Sequence, residues 1–244
     1  MYGIPLRLKR SLRSVGNALP VILETVRGLN EYGGGEIPVF GGLAGPFTTT
    51  CNILGVEKIL RMIYKMPQIL EALLDKVTSF QVGFGRALIE NGANVLFMPE
   101  PSGSASMISP FMFRQFVLPR LKTLIGSLDV PCMLHMCGDT SPMLDAMAES
   151  GAEIISLDQC MDLLKSREMV SGKVLGGNVD PVNSLLMGSA DQVKSDTMTC
   201  LRTGGTSRYI LMTGCGVPSQ TPVENLETMI RTAKEYGMTR IGDP

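Results

Sequence analysis

The chain has 244 residues, with 22 Lys+Arg against 23 Asp+Glu, a net charge of −1 and 44% hydrophobic residues. This is globular composition with ample length for a core, which excludes intrinsic disorder. The near-neutral balance lacks the basic footprint of a nucleic-acid protein, and no apolar run approaches the ~18 residues that cross a bilayer.

In chain order, the first twenty residues are basic and carry no signal-peptide apolar core, so a cytoplasmic protein is expected. Arg7, Lys9, Arg10 and Arg13 read as a solvated face. Short apolar runs ending in Gly, Pro or an acidic residue then occur at 39–45, 94–100, 131–137, 153–158, 173–180 and 208–214, and predict six strands. Amphipathic stretches of helical period lie between them. Residues 67–92 carry an i, i+3/i+4 stripe through Leu70, Leu73, Leu74, Val77, Phe84 and Leu88, closed by Asn91-Gly92. Ser109-Pro110 predicts a capped helix start. Thr221-Pro-Val-Glu224 reads as a capping box for a last helix that Gly237 stops. No repeat or linker interrupts the chain, so 1–244 reads as one domain.

Strands that are apolar throughout and alternate with helices predict a buried parallel sheet. A doubly wound sheet and a (β/α)8 barrel both fit. No Gly-rich phosphate loop follows a strand, which weakens the nucleotide-binding version. Polar residues at strand ends, Glu100, His135, Cys137, Asp158, Asp180 and Cys215, favour the TIM-barrel class, whose active sites sit on that rim. Six strands are two short of a closed barrel, so the first two are expected to be missing.

The 6 cysteines are too sparse for a disulfide scaffold, and the single histidine excludes a multi-histidine metal site. His135 and Cys137 are two apart at a strand end, so both side chains face one side. Cys215 ends the last strand. One nitrogen and two sulfurs form a soft set that suits zinc, with a fourth position open for chemistry. Spacing alone leaves the blander reading open, since buried cysteines are common in strands. Cys51, Cys132, Cys160 and Cys200 read as small core or helix residues, and Cys132 alternates away from His135. The 17 methionines read mostly as core fillers.

Three further segments point to a family. Gly41-Gly-Leu-Ala-Gly-Pro-Phe-Thr48, Gly177-Asn-Val-Asp-Pro181 and Gly214-Cys-Gly-Val-Pro-Ser-Gln-Thr-Pro-Val-Glu-Asn225 resemble the uroporphyrinogen decarboxylase superfamily in order and spacing. His135-Met-Cys137 with distant Cys215 resembles the His-x-Cys…Cys zinc signature of its corrinoid-dependent methyltransferase branch. That resemblance implies a (β/α)8 barrel that moves a methyl group from a methylated corrinoid protein to a thiol such as coenzyme M. It implies His135, Cys137 and Cys215 as zinc ligands. Glu100 and Asp158 are then candidates for the fourth position, and Asp180 for shaping the pocket or capping the next helix. The helix start at Thr140-Ser141-Pro142 is expected to add positive potential that favours thiolate. The decarboxylase itself has Gly-His-Gly where Cys215 stands, and its Arg-rich substrate motif has no counterpart here. A decarboxylase-like lyase and a non-catalytic partner of a corrinoid protein remain as alternatives, and open barrel edges as a route to oligomers.

Overall fold

A computed structural model describes residues 18–241. The basic cluster of Arg7, Lys9, Arg10 and Arg13 lies outside the described residues. The six predicted strands are all present, each shorter than its apolar run. They are β1 (Phe40–Gly42), β2 (Val95–Pro99), β3 (Cys132–His135), β4 (Ile154–Ser156), β5 (Val174–Val179) and β6 (Tyr209–Thr213). Each pairs in parallel with the next, in the order β1-β2-β3-β4-β5-β6. Parallel neighbours need a crossover. Helices α1 (Ala18–Gly33), α2 (Pro46–Leu54), α3 (Val56–Lys65), α4 (Pro67–Glu90), α5 (Leu118–Ile125), α6 (Leu144–Glu149), α7 (Leu163–Met169), α8 (Ala190–Gly204) and α9 (Val223–Ile241) flank the strands. Among the described residues no helix is long and apolar enough to cross a membrane.

β3 and β4 are buried along their whole length, as strands covered on both faces must be. The core joins Leu96, Met98, Leu134 and Ile155 of the strands to Leu70, Leu74 and Leu88 of α4 and Leu121 and Leu124 of α5. The helix after β2 begins where Ser109 accepts a bond from Met112 N, as the Ser-Pro signal predicts. It then widens through a π turn at Phe113–Val117 before α5.

The last helix departs from its signals. Thr221 Oγ1 is buried without a hydrogen-bond partner among the described residues, so no capping box forms. The first turn is closed instead by the Pro222 carbonyl, which accepts from Asn225 and Leu226. Gly237 does not end α9, which runs to Ile241. The glycine keeps an ordinary helical φ rather than the left-handed one that stops a helix.

One buried carboxylate ties β2 to α2. Glu100 is 0% exposed, and its oxygens accept from Phe47 N (3.0 Å), Thr48 N (2.6 Å) and the Thr48 hydroxyl. An anion at a helix N-terminus satisfies amides that the helix leaves unpaired. The approach demands Gly45, because a Cβ there would strike the Glu100 carboxylate. Burial outweighs these bonds and pushes the Glu100 pKa from its ordinary 4.5 up to about 7.

Between those two values the folded chain holds a proton that the unfolded chain has released, so Glu100 lowers stability as pH rises through that window. Relative to Glu100→Gln, the wild type is expected to lose up to about 3 kcal/mol between pH 4.5 and 7. Urea denaturation of both proteins at the two pH values reads the difference. A constant gap would contradict a raised pKa.

Candidate metal centre

His135 is the last residue of β3 and pairs in register with Ser156 of β4. Its Nδ1 lies 3.0 Å from Ser156 Oγ, and its Nε2 lies 3.5 Å from Cys137 Sγ. Cys137 Sγ lies 3.8 Å from Cys215 Sγ, contributed from beyond β6. Among the described residues, His135, Cys137 and Cys215 are the one group of three His, Cys, Asp or Glu side chains whose ligand atoms converge, all within 4.8 Å. β3 and β6 are three places apart in the sheet, a separation of about 14 Å were it flat. The sheet therefore curls, and its C-terminal ends face one another across a half-barrel.

The donor separations test whether a metal fits. Zinc–sulfur bonds of about 2.3 Å and zinc–nitrogen bonds of about 2.0 Å at tetrahedral angles place two sulfurs about 3.8 Å apart and nitrogen and sulfur about 3.5 Å apart. The Cys137–Cys215 separation of 3.8 Å and the His135–Cys137 separation of 3.5 Å match these values, and all three donor atoms lie within 4.8 Å of one another. The Ser156 contact occupies Nδ1 and leaves Nε2 as the ligating nitrogen, the usual way a second partner fixes an imidazole.

Electrostatics agree with this. Burial lowers the His135 pKa, against an opposing pull from Asp158, so the ring is held neutral and its Nε2 lone pair free. Burial, then the neighbouring Cys215, then Asp158 push the Cys137 thiol up to about 11. Two thiolates this close repel, and a dication is the natural means of holding both.

The supporting residues sit in the loops. Asp158, just past β4, accepts from Gly138 N (2.8 Å) and Cys160 N (3.1 Å), which pins the backbone next to Cys137. Asn178 Nδ2 donates to the carbonyls of Asp158 and Met161. Gly214 is required where it stands, since a Cβ would collide with the backbone of Gln159. That close pass sets Cys215 against the β4 loop. Ser156 escaped the sequence reading, and only the strand register reveals it; Asn178 and Gly214 lie in the quoted family segments, where the sequence assigned them no role of their own.

Other predicted residues fall elsewhere. Glu100 does not join the donor group, because both of its oxygens are spent on the α2 N-terminus. Asp158 also stays outside it and acts through Gly138. Asp180 takes the capping role, accepting from Val182 N, Asn183 N and Asn183 Nδ2. At Thr140-Ser141-Pro142 no capped helix offers free amides: Asp139 accepts from Ser141 N, and the turn is a short 3-10 one. Cys51 and Cys132 are buried, and Cys200 lies on α8. Cys160 is exposed rather than core, because it sits in the loop that Asp158 organises.

This geometry predicts a selective crosslink. Mild peroxide treatment of metal-free protein at alkaline pH should join Cys137 to Cys215 and leave buried Cys51 and Cys132 reduced. Peptide mass mapping checks the pairing, and a crosslink from Cys160 to either ligand would contradict the placement.

The fold has a close counterpart among solved structures. A solved methyltransferase structure from Methanosarcina mazei superposes with a TM-score of 0.85 at 32% identity, covering 89% of this chain and 64% of that one. A methylcobamide:CoM methyltransferase MtaA from Methanosarcina barkeri is 30% identical over 222 residues, 90% of this chain and 65% of the relative. A methylated-thiol–coenzyme M methyltransferase from Methanosarcina mazei is 33% identical over 226 residues, 92% of this chain and 60% of the relative. The chain thus spans less than two thirds of the length of these relatives. The family pattern described as uroporphyrinogen decarboxylase (URO-D) matches residues 6–236, and the chain belongs to that family.

Proposed function

We propose that this protein transfers a methyl group from a methylated corrinoid, carried by a partner protein, to a thiol, using zinc held by His135, Cys137 and Cys215. The observation that carries the reading is the convergence of those three donors within 4.8 Å, two of their separations at tetrahedral values, in a chain similar to methylcobamide:CoM methyltransferases. Coenzyme M is the acceptor in the names of those relatives, and the proposal for this chain is the broader class, a thiol.

A free thiol with a pKa near ~8.5 is mostly protonated at neutral pH. Zinc, when bound, supplies the charge that lets an incoming thiol shed its proton and meet the methyl group as thiolate. The chain's own residues prepare the place. His135 presents Nε2 because Ser156 holds Nδ1. Cys137 is fixed by the Asp158–Gly138 bond, and Cys215 by the close pass at Gly214. Two thiolates offset the dication's charge, so the centre is suited to holding a thiolate rather than to ionising water. Orientation matters because the displacement is in-line, and a held nucleophile gains several kcal/mol over a free one.

The six strands are proposed to occupy places three to eight of a (β/α)8 barrel, with 1–244 forming one domain of it. Support comes from the curl of the sheet and from the 0.85 superposition over 64% of the methyltransferase. Among the described residues the outer strands β1 and β6 pair on one side only, and these edges are the proposed route to any oligomer. A decarboxylase-type lyase fits less well, because Cys215 completes a soft donor set with His135 and Cys137.

Purified protein is expected to bind about one zinc per chain. Cys137→Ser and Cys215→Ser should each lose most of it, whereas Cys132→Ser should retain it. Metal analysis of the four proteins decides, and equal loss in all three variants would reject the assignment. The zinc form should also demethylate free methylcobalamin when a thiol is present, seen as the spectral change of the corrinoid, and Cys137→Ser should not.

A further inference from the structure

The loop after β3 carries Cys137 and is tied to the loop after β4 at two points. At the first, Asp158 accepts from Gly138 N. The second is made by sulfur. Met161 Sδ accepts from Thr140 N at 3.3 Å and from Thr140 Oγ1 at 3.6 Å, and Ser141 Oγ lies 3.7 Å from it. Thr140 is 1% exposed, so water does not reach its donors. Among the described residues the thioether is the one acceptor that the Thr140 amide and hydroxyl find.

A thioether is a weak acceptor, and most core methionines serve as adaptable apolar filler. Met161 is held more firmly than that. Its amide donates to the Asp158 carbonyl, and its carbonyl accepts from Asn178 Nδ2 at 2.8 Å. The same Asn178 nitrogen donates to the Asp158 carbonyl, so one β5 side chain fixes the backbone of both anchors. Met161 is 6% exposed and packs in the main core, which leaves its side chain little room to turn away. A continuous path therefore runs from Asn178 to Asp158 and Met161, and from these to Gly138 and Thr140, just past Cys137.

We infer that Met161 is a positioning residue for the metal centre: by accepting from Thr140, its sulfur fixes the loop that presents Cys137. Without that acceptor two buried donors are left unpaired, and a loop relieves such a cost by moving. The inference rests on the zinc reading above and deepens it by one residue that touches neither metal nor thiol.

Met161→Leu keeps the apolar volume and removes the acceptor, a swap that cores tolerate. Met147→Leu is the control, a fully buried α6 methionine whose sulfur makes no hydrogen bond among the described residues. Zinc affinity of the full chain is read by competition with a chromophoric chelator, and ligand geometry by the absorption bands of the cobalt-substituted protein. Met161→Leu is expected to weaken zinc binding on the order of tenfold, the lower end for residues that orient metal ligands, and to shift the cobalt bands. Met147→Leu should change neither. Thr140→Val, which removes the hydroxyl donor, should act in the same direction more weakly, and it decides alone if Met161→Leu does not fold. Unchanged affinity and bands in the variants at 161 and 140, or an equal loss in Met147→Leu, overturn the inference and leave the zinc reading intact. A wild-type chain that binds no zinc overturns both.

Discussion

Curvature of a single parallel sheet is what makes a site out of residues 78 positions apart. His135 ends β3, Cys137 stands in the loop after it and Cys215 follows β6, with two whole strands between them. Parallel pairing sends every chain crossing over the outside, so all six C-terminal ends open on the same side. Progressive twist then bends the row until its third and sixth members face each other. The 3.8 Å between the two sulfurs is thus a property of the sheet before it is a property of the cysteines. Close passes at Gly45 and Gly214 serve the same end, since any side chain there would push a rim loop outward.

Burial then sets the charge state of what curvature brings together. Desolvation favours the neutral form of every group, pushing the Cys137 thiol up and the His135 imidazole down. For histidine this is the ligating form. For cysteine it is the wrong one, and only a positive ion nearby reverses it. The asymmetry explains why a neutral nitrogen and paired sulfurs make a better match to a dication than to a proton relay. Asp158 lies close enough to act on both residues, yet its oxygens are committed to the Gly138 and Cys160 amides. Its role is to hold the loop on which Cys137 rides.

The strands were legible in the sequence because each lies in a mainly apolar run, although only β3 and β4 are buried throughout and β1 and β6 leave Phe40 and Ile210 exposed. The resemblance named the three side chains that converge, but the period-two argument did not apply to Cys137, since β3 ends at His135 and Cys137 rides on the loop after it. Side-chain commitments were not legible. Glu100 and Asp180 look like rim carboxylates free to bind something, and in the fold both cap helical turns that begin elsewhere in the chain or just after them. Gly237 reads as a stop, but a glycine ends a helix only when it turns left-handed, which no local pattern fixes. Ser156 is invisible without register, since its importance comes from lying opposite His135.

The three donors are not held with equal firmness. β3 is flanked by β2 and β4 and is buried throughout, so His135 is fixed from both sides. Among the described residues β6 pairs only with β5, and Ile210 on it is exposed. Its support comes from a second, smaller core of Val179, Leu185 and Val193, against which Leu211, Leu226 and Met229 pack. Asn225 binds that core to the rim, its Nδ2 donating to the carbonyls of Leu185 (2.8 Å) and Gly188 (2.9 Å). The last helix therefore buttresses β6 from its outer side. Cys215 owes its position to that helix as much as to its own strand, which gives the Pro-Val-Glu-Asn225 end of the segment a structural reason to accompany the cysteine.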